Sequence, residues 1–338
     1  MSKIKFLSLG FLFLIFLSTS CTKDEETKIN EAQVLVEYLE STDSPAQKDF
    51  VNTDMPTMIT ATDLKALNTT GGVYIIDIRS AADFATGYIA NAHNVAASDV
   101  LTHIKGVDLT PYTKVAIVCY TGQTASFVAS ILRLLGYNKV FALKWGMASW
   151  HADFAGKWNT AVGSGNTYAS QFVNTDTPKG AKGNLPELST GKTTGQEILE
   201  VRAAAVLADG FTIASTTNAT VFGSLTTNYI INYWPAAQYT DPGHIPGSMQ
   251  YTPKETIKYT VDLTTLPTNK PVVCYCYTGQ TSAFLVAYLR ILGYDAKSIL
   301  YGTNGMIYDK MGEYNVAHPD SKMAKFSDTE IMGYEYVQ

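Results

Sequence analysis

The sequence predicts an α/β protein built from two copies of one architecture, each a mostly parallel sheet of about five strands with helices on both faces. Two observations predict it. A segment of the second half repeats one of the first half, and short β-branched runs alternate with helical stripes in both halves. The chain has 338 residues and a hydrophobic fraction of 46 %, which is enough to bury a core in each of two domains.

The duplication is clearest around two cysteines. Residues 119–137 and 276–294 align without a gap, and twelve of these nineteen positions are identical. A second echo, FVNTD, occurs at 50–54 and 172–176 in the same order. The distance from its aspartate to the cysteine is 65 residues in copy one and 100 in copy two. Copy two therefore carries about 35 extra residues, which we place between 179 and 227.

Each copy alternates strand and helix patterns. Val73–Ile78 and the runs 114–118 and 271–275 are short and β-branched, as expected of strands buried on both faces. The last two runs end directly at the repeated string CYTGQT. A helical stripe follows and stops at Gly136 in copy one and Gly293 in copy two. Because ligands of parallel sheets bind at the carboxyl ends of strands, the repeated string is the expected site.

The loop that follows each strand is suited to holding a thiolate. Cys119 and Cys276 open it, and Gly122 and Gly279 let the backbone turn its N–H groups inward. The N-terminus of the following helix adds about half a positive charge. These features predict a nucleophilic cysteine whose pKa falls into the range ~3.5–7.5. The alternative for both cysteines is an ordinary buried thiol.

Several strings of the chain resemble motifs of the rhodanese (sulfurtransferase) family. In copy one they are Asp77-Ile78-Arg79 for the motif DxR, residues 83–94 for EFxxGHIPGAxN, and residues 145–150 for the closing GGxxxW. In copy two, 243–248 matches the middle motif more closely, but Asn232 and Trp234 replace the Asp and Arg of the first. The resemblance covers most of 55–155 and, more loosely, 195–310.

The resemblance implies two-step sulfur transfer through a persulfide on Cys119, Cys276 or both. The donor is thiosulfate or a persulfide, the acceptor is cyanide or a thiol, and no cofactor or metal is implied. The anionic sulfur lies in a loop whose Gln side chain contacts the oxyanion and whose last Thr hydrogen-bonds the thiolate. The residues of the two loops are Tyr120, Thr121, Gly122, Gln123 and Thr124, and Tyr277, Thr278, Gly279, Gln280 and Thr281. Four residues are expected to be structural: Asp77 and Arg79 tie the loop frame together, and Arg133 and Arg290, in matching mid-helix places, form ion pairs.

Two features of the loops refine this expectation. Their side chains are all neutral, whereas many family members carry Arg or Lys there, so capture of thiosulfate should be weak. Phosphatases of the same fold end the loop with an arginine six residues after the cysteine, where this chain has Ala125 and Ser282. A phosphatase is therefore disfavoured. Cys274 is either a small core residue or a resolving thiol for Cys276.

The N-terminus has the layout of a lipoprotein signal. Residues 1–20 combine two lysines with a short apolar run, and residues 17–21, LSTSC, resemble the lipobox of bacterial lipoproteins. This predicts cleavage before Cys21, lipidation of its thiol, and a tether and leading segment over 21–48. Acidic residues 22–26 resemble the export tag of surface lipoproteins of Bacteroidetes-type bacteria. We expect anchoring in the outer membrane, on the surface or facing the periplasm.

Domain boundaries and partners follow from the same features. We predict domain 1 over 49–158, a linker or long loop over 159–194, and domain 2 with a C-terminal extension over 195–338. The net charge of −5 and the absence of a Lys/Arg run disfavour a nucleic-acid partner. The second hypothesis is a non-catalytic module that uses the fold to bind a partner or a sulfur carrier.

Overall fold

A computed structural model describes residues 29–338, so the predicted signal, Cys21 and the acidic residues 22–26 lie outside the described residues. The first sheet defines domain 1. Its strands are β1 (Met58–Ile59), β2 (Val73–Asp77), β3 (Ala92–Asn94), β4 (Lys114–Val118) and β5 (Val140–Leu143). All pairings are parallel, in the order β1-β5-β4-β2-β3.

The second sheet defines domain 2 and repeats the first. Its strands are β6 (Ser215–Thr216), β7 (Tyr229–Asn232), β8 (Met249–Gln250), β9 (Val272–Tyr275) and β10 (Ala296–Ile299). They are parallel in the order β6-β10-β9-β7-β8, which is the order of domain 1 position by position. Two parallel five-stranded sheets confirm the predicted fold class.

Helices surround both sheets. Those before and around the first sheet are α1 (Glu31–Leu39), α2 (Phe50–Thr53), α3 (Ala61–Thr69), α4 (Ala81–Ala85), α5 (Val100–Lys105), α6 (Gln123–Leu134), α7 (Met147–Trp150) and α8 (Gly156–Gly163). Those of the second half are α9 (Gly195–Ile213), α10 (Asn218–Phe222), α11 (Ala236–Thr240), α12 (Gln280–Ile291) and α13 (Tyr308–Ala317). Among residues 29–338, no helix has the length and apolarity needed to cross a bilayer.

The two domains join through the helices that follow the cysteine loops. Helices α6 and α12 pack against each other, and both are buried along almost their whole length. The hydroxyl of Ser130 donates across this interface to the carbonyl oxygen of Phe284 at 2.8 Å. Helix α9, part of the extra length of copy two, packs on α1, α6 and α12. The insertion therefore contributes to the interface between the domains.

The C-terminal segment, residues 327–338, returns to domain 1. The backbone of Val337 pairs with that of Tyr88, and the indole N–H of Trp150 donates to the carbonyl of Glu335 at 2.9 Å. The indole N–H of Trp145 donates to the carboxylate of Glu330 at 2.6 Å. The sequence groups these residues with domain 2, whereas in space they satisfy buried indoles of domain 1.

A half-buried carboxyl links the first helix to domain 2. Glu40, at the C-terminus of α1, accepts the backbone N–H of Tyr259 at 2.8 Å. The pKa of Glu40 is raised to about 7, chiefly by burial and also by the nearby Asp49 carboxylate, while the Tyr259 N–H and Lys258 oppose the rise. The folded chain therefore favours the protonated, neutral carboxyl.

This raised pKa predicts a specific pH dependence of stability. Below pH 4.5 the carboxyl is protonated in both the folded and the unfolded chain. Its favourable contribution to the free energy of unfolding is lost as the pH rises through about 7. We expect Glu40→Gln to raise the free energy of unfolding at pH 8 by about 1–2 kcal/mol and to change it little at pH 4. Urea denaturation at both pH values measures this. Glu37→Gln, an exposed change on the same helix, is the control, and an equal gain at both pH values for Glu40→Gln would contradict the assignment.

Candidate active site

The two predicted cysteines occupy equivalent positions at the ends of β4 and β9. Gly122 and Gly279 adopt φ values of +80° and +75° at the start of α6 and α12, which turns the chain sharply back over the sulfur. The backbone N–H of Ala125 donates to Sγ of Cys119 at 3.3 Å, and that of Ser282 donates to Sγ of Cys276 at 3.3 Å. In both domains the first turn of a helix is therefore aimed at a cysteine sulfur.

Both cysteines are deeply buried, with exposed fractions of 5 % for Cys119 and 2 % for Cys276. Burial raises the pKa of Cys119 above its usual value, and the Asp77 carboxylate adds to the rise. The backbone N–H groups of Ala125, Thr121 and Gly122 lower it without cancelling the burial. The predicted low pKa is thus wrong for Cys119, because the electrostatic argument from the sequence omitted desolvation.

Cys276 has a more polar environment. Its Sγ lies 3.5 Å from the hydroxyl oxygen of Ser282 and 4.0 Å from that of Thr278. The Ser282 hydroxyl is itself held by Ser298 at 2.7 Å. The hydroxyls that reach this sulfur differ from that of Thr281, which the family resemblance implied.

The residues at the DxR position differ between the domains. In domain 1, Asp77 and Arg79 form a buried ion pair with an N–O distance of 2.6 Å, and Arg79 also donates to the carbonyl of Gly87. Register places Asp77 beside Val118, one residue before Cys119. In domain 2 the equivalent Asn232 is neutral and donates to the hydroxyl of Tyr275 at 2.8 Å. In domain 1 the Asp77 carboxylate therefore disfavours the Cys119 thiolate, and domain 2 has no carboxylate at this position.

The tyrosine that follows each cysteine is held differently in the two domains. The guanidinium of Arg79 lies 5.1 Å and the Lys157 ammonium 4.3 Å from the ring centre of Tyr120, whose hydroxyl donates to Asp83 at 3.0 Å. The ring of Tyr277 instead stacks on Trp234 at 5.4 Å. A cationic lining in domain 1 is thus matched by an aromatic one in domain 2.

The side-chain carbonyl oxygens of the two loop glutamines are bound by the opposite domain. The side-chain carbonyl of Gln123 accepts the backbone N–H of Tyr301 at 2.8 Å, and that of Gln280 accepts the backbone N–H of Trp145 at 2.9 Å. Each glutamine is buried and bridges to the opposite domain. Only the amide nitrogens could contact the predicted oxyanion: that of Gln123 donates to Thr121, and that of Gln280 is buried, so the contact stays a prediction.

The arginines Arg133 and Arg290 lie at the far ends of α6 and α12 from the loops. Arg133 pairs with Asp54 at 3.0 Å. Arg290 lies 3.4 Å from Asp209 and 3.6 Å from Asp295. Both contact carboxylates rather than the cysteine loops, which is the structural placement that the sequence predicts.

Cys274 lies in the middle strand of the second sheet, beside Ile231 of β7. Its side chain has no exposed surface and its thiol is free. Burial raises its pKa strongly, and the neighbouring Cys276 adds to the rise. This setting suits a core residue, and the resolving role stays a prediction.

Sequence reasoning missed several residues that contact the loops. Trp158 of α8 donates its indole N–H to the carbonyl of Thr121 at 3.3 Å, and Lys157 lies over Tyr120. The motifs assign Ser282 no role beyond occupying the position of the phosphatase arginine. Its difference from Ala125 in the otherwise repeated loop is the signal that could have identified it. Within residues 29–338, no group of three or more His, Cys, Asp or Glu side chains is arranged to hold a metal ion.

The family profile of the rhodanese-like domain matches residues 60–153 and 224–306, one segment in each of the two domains. The chain belongs to the rhodanese-like family. It is 32 % identical over 83 residues to the thiosulfate sulfurtransferase GlpE of Pseudomonas putida, which covers 25 % of this chain and 74 % of that relative. It is 28 % identical over 96 residues to GlpE of Pseudomonas fluorescens, which covers 28 % of this chain and 83 % of that relative.

Two solved structures align with about three quarters of the chain. The thiosulfate sulfurtransferase of Pseudomonas aeruginosa aligns over 75 % of this chain and 45 % of its own, with 17 % identity and a TM-score of 0.27. The 3-mercaptopyruvate sulfotransferase SseA of Escherichia coli aligns over 74 % of this chain and 98 % of its own, with 18 % identity and a TM-score of 0.28.

The Ala125/Ser282 difference predicts a difference in thiol reactivity. We expect Ala125→Ser to lower the pKa of Cys119 by adding a hydroxyl donor, which should speed its alkylation at pH 7 by about three- to tenfold. Ser282→Ala should slow alkylation of Cys276 by a similar factor. Peptide-resolved mass spectrometry after treatment with an alkylating agent measures both rates.

Ser126→Ala is the matched control for both substitutions. The Ser126 hydroxyl, in the first turn of α6, donates to the backbone carbonyl of Gly122 at 2.7 Å. Its removal should leave both alkylation rates unchanged. Equal rates for Cys119 in the Ala125→Ser and unmodified chains would exclude a contribution of this hydroxyl.

Proposed function

We propose that the chain is a sulfurtransferase that carries sulfane sulfur on Cys119, Cys276 or both. The observation that carries the proposal is the repeated geometry of the helix turn. A backbone N–H six residues after each cysteine donates to its sulfur at 3.3 Å in both domains. Such donors stabilise a sulfur anion, and a structural core thiol has no need of them.

The reaction that suits this geometry has two displacement steps. The cysteine gives its proton to solvent, and the thiolate attacks the outer sulfur of the donor. A bond forms between the two sulfurs, and the donor's remaining group leaves with the electron pair, as sulfite from thiosulfate or as a thiolate from a persulfide. A thiol or cyanide acceptor then attacks the outer sulfur, and the cysteine thiolate leaves.

The charge of the loops favours a persulfide-type donor over thiosulfate. The loop side chains are neutral, so a dianion would be held chiefly by backbone N–H groups. In domain 1 the cations Arg79 and Lys157 are accompanied by the carboxylates of Asp77 and Asp83, which reduce their attraction for an anion. A monoanionic or protein-borne sulfur donor demands less of such a site.

A persulfide test distinguishes the two cysteines. After incubation with thiosulfate or with a low-molecular-weight persulfide, we expect the intact protein to gain the mass of one or two sulfur atoms. Cys119→Ser and Cys276→Ser should each remove the gain at its own site, and the double variant should remove it entirely. The persulfide donor should give the faster loading because the loops lack a charged side chain.

Cys274→Ala is the matched control for this experiment, since it removes a buried cysteine outside the loops. Its sulfur uptake should equal that of the unmodified chain. A protein that gains no sulfur from either donor would support the second candidate, a non-catalytic module that binds a partner. The burial of both thiols and the replacement of the DxR frame by Asn232 and Trp234 are what favour that candidate.

We further propose that the protein is a lipoprotein of the outer membrane, anchored through Cys21. The support is the sequence of residues 1–26, which combines a short apolar run, a lipobox-like string and an acidic stretch. Two or more acyl chains give stable attachment where one chain is marginal.

Membrane fractionation of the producing cells tests this anchoring. The unmodified chain should sediment with membranes and Cys21→Ser should be released or retain its signal, while Cys274→Ala should behave as the unmodified chain does. Recovery of the unmodified chain in the soluble fraction would refute the anchor. Protease treatment of intact cells then separates surface display, in which the protein is digested, from a periplasm-facing orientation, in which it survives.

A further inference from the structure

Each cysteine loop is held by a turn of its own domain. In domain 1 the turn at Trp145 and Gly146 follows β5, and the backbone N–H of Met147 donates to the carbonyl of Cys119 at 2.8 Å. Trp145 has a φ of +65°. A Cβ atom on Gly146 would collide with the carbonyl oxygen of Cys119, so loop and turn are in direct contact.

Domain 2 repeats this contact with the turn at Tyr301 and Gly302. Tyr301 has a φ of +63°, and the backbone N–H of Thr303 donates to the carbonyl of Cys276 at 3.1 Å. A Cβ atom on Gly302 would collide with the carbonyl oxygen of Cys276. A shift of either turn therefore moves the backbone of the cysteine that it contacts.

The first residue of each turn is bound by a glutamine of the other domain. Gln280, which follows the Cys276 loop, accepts the N–H of Trp145 in domain 1. Gln123, which follows the Cys119 loop, accepts the N–H of Tyr301 in domain 2. The glutamine carbonyl also lies against the glycine of the opposite loop, since a Cβ on Gly122 would collide with Gln280.

The amide nitrogens of the two glutamines differ. That of Gln123 donates to the hydroxyl of Thr121 in its own loop at 3.1 Å. The amide nitrogen of Gln280 has no hydrogen-bond partner among the described residues, and the side chain has no exposed surface. A buried donor without a partner is destabilising. Gln280 therefore keeps its contact with Trp145 while its own amide nitrogen stays unsatisfied.

From this reciprocal arrangement we infer that Gln123 and Gln280 are positioning residues, each of which sets the reactivity of the cysteine in the opposite domain. Gln280 acts on Cys119 through the Trp145 turn, and Gln123 acts on Cys276 through the Tyr301 turn. The two loops are thereby coupled, so that a change in one domain's loop reaches the other domain's sulfur by two hydrogen bonds and a backbone contact. The inference deepens the proposed function and rests on it for its biological meaning.

Gln280→Met tests the coupling because methionine has a similar length and cannot accept the N–H of Trp145. The rate of alkylation of Cys119 is followed from pH 6 to pH 10 by peptide-resolved mass spectrometry. We expect the alkylation rate of Cys119 to change by about threefold or more at a given pH, through a shift of the midpoint or a change of the plateau of its pH profile. Gln123→Met should change the Cys276 profile in the same way.

Ser130→Ala is the matched control, since it removes a hydrogen bond across the same interface, from α6 to Phe284, without touching either turn. It should leave both profiles unchanged. The inference is overturned if each glutamine variant alters only the cysteine of its own domain, or if Ser130→Ala changes the profiles as much as the glutamine variants do.

Failure of the proposed function gives a different result. Alkylation needs a thiolate and no sulfur donor, so the profiles remain measurable in a protein that gains no sulfur from thiosulfate or a persulfide. Absence of sulfur uptake would count against the transferase, and absence of a cross-domain effect would count against the coupling.

Discussion

The convergence of backbone N–H groups on a buried sulfur is the interaction on which the site depends. In each domain a strand delivers the cysteine to the carboxyl edge of the sheet, and a glycine at positive φ turns the following helix back toward it. Burial and the N–H donors act in opposite directions on the thiol of Cys119, and burial is the larger effect. The closed arrangement therefore holds that thiol protonated, while the donors that would stabilise its anion are already in place.

Duplication has produced two sites of equal backbone geometry and unequal chemistry. The strand orders are the same, the cysteine contacts have the same length, and the first two residues of the turns after β5 and β10 all have positive φ. The side chains around them differ: Asp77 with Arg79 in one domain, Asn232 with Trp234 in the other. Because a carboxylate near a thiolate is repulsive and an amide is not, the two cysteines have different electrostatic surroundings on one scaffold.

The fold was predictable because its signals are local. The β-branched runs, the helical stripes and the repeated CYTGQT string each depend on neighbouring residues, and they placed Cys119 and Cys276 correctly at the ends of strands. The burial of Cys119 depends on tertiary packing, and the opposite-domain partners of Gln123 and Gln280 lie more than a hundred positions away in the sequence. Periodicity and motif spacing within one copy carry no information about such contacts.

The path of the last residues ties the completion of domain 1 to the end of the chain. Glu330, Glu335 and Val337 supply hydrogen bonds to Trp145, Trp150 and Tyr88, and the first of these tryptophans belongs to the turn that contacts Cys119. A ribosome releases these residues only after all of domain 2 has been made. The first half of the protein can thus form its sheet early, but the turn that contacts Cys119 gains its hydrogen bond to Glu330 only after domain 2 has been made.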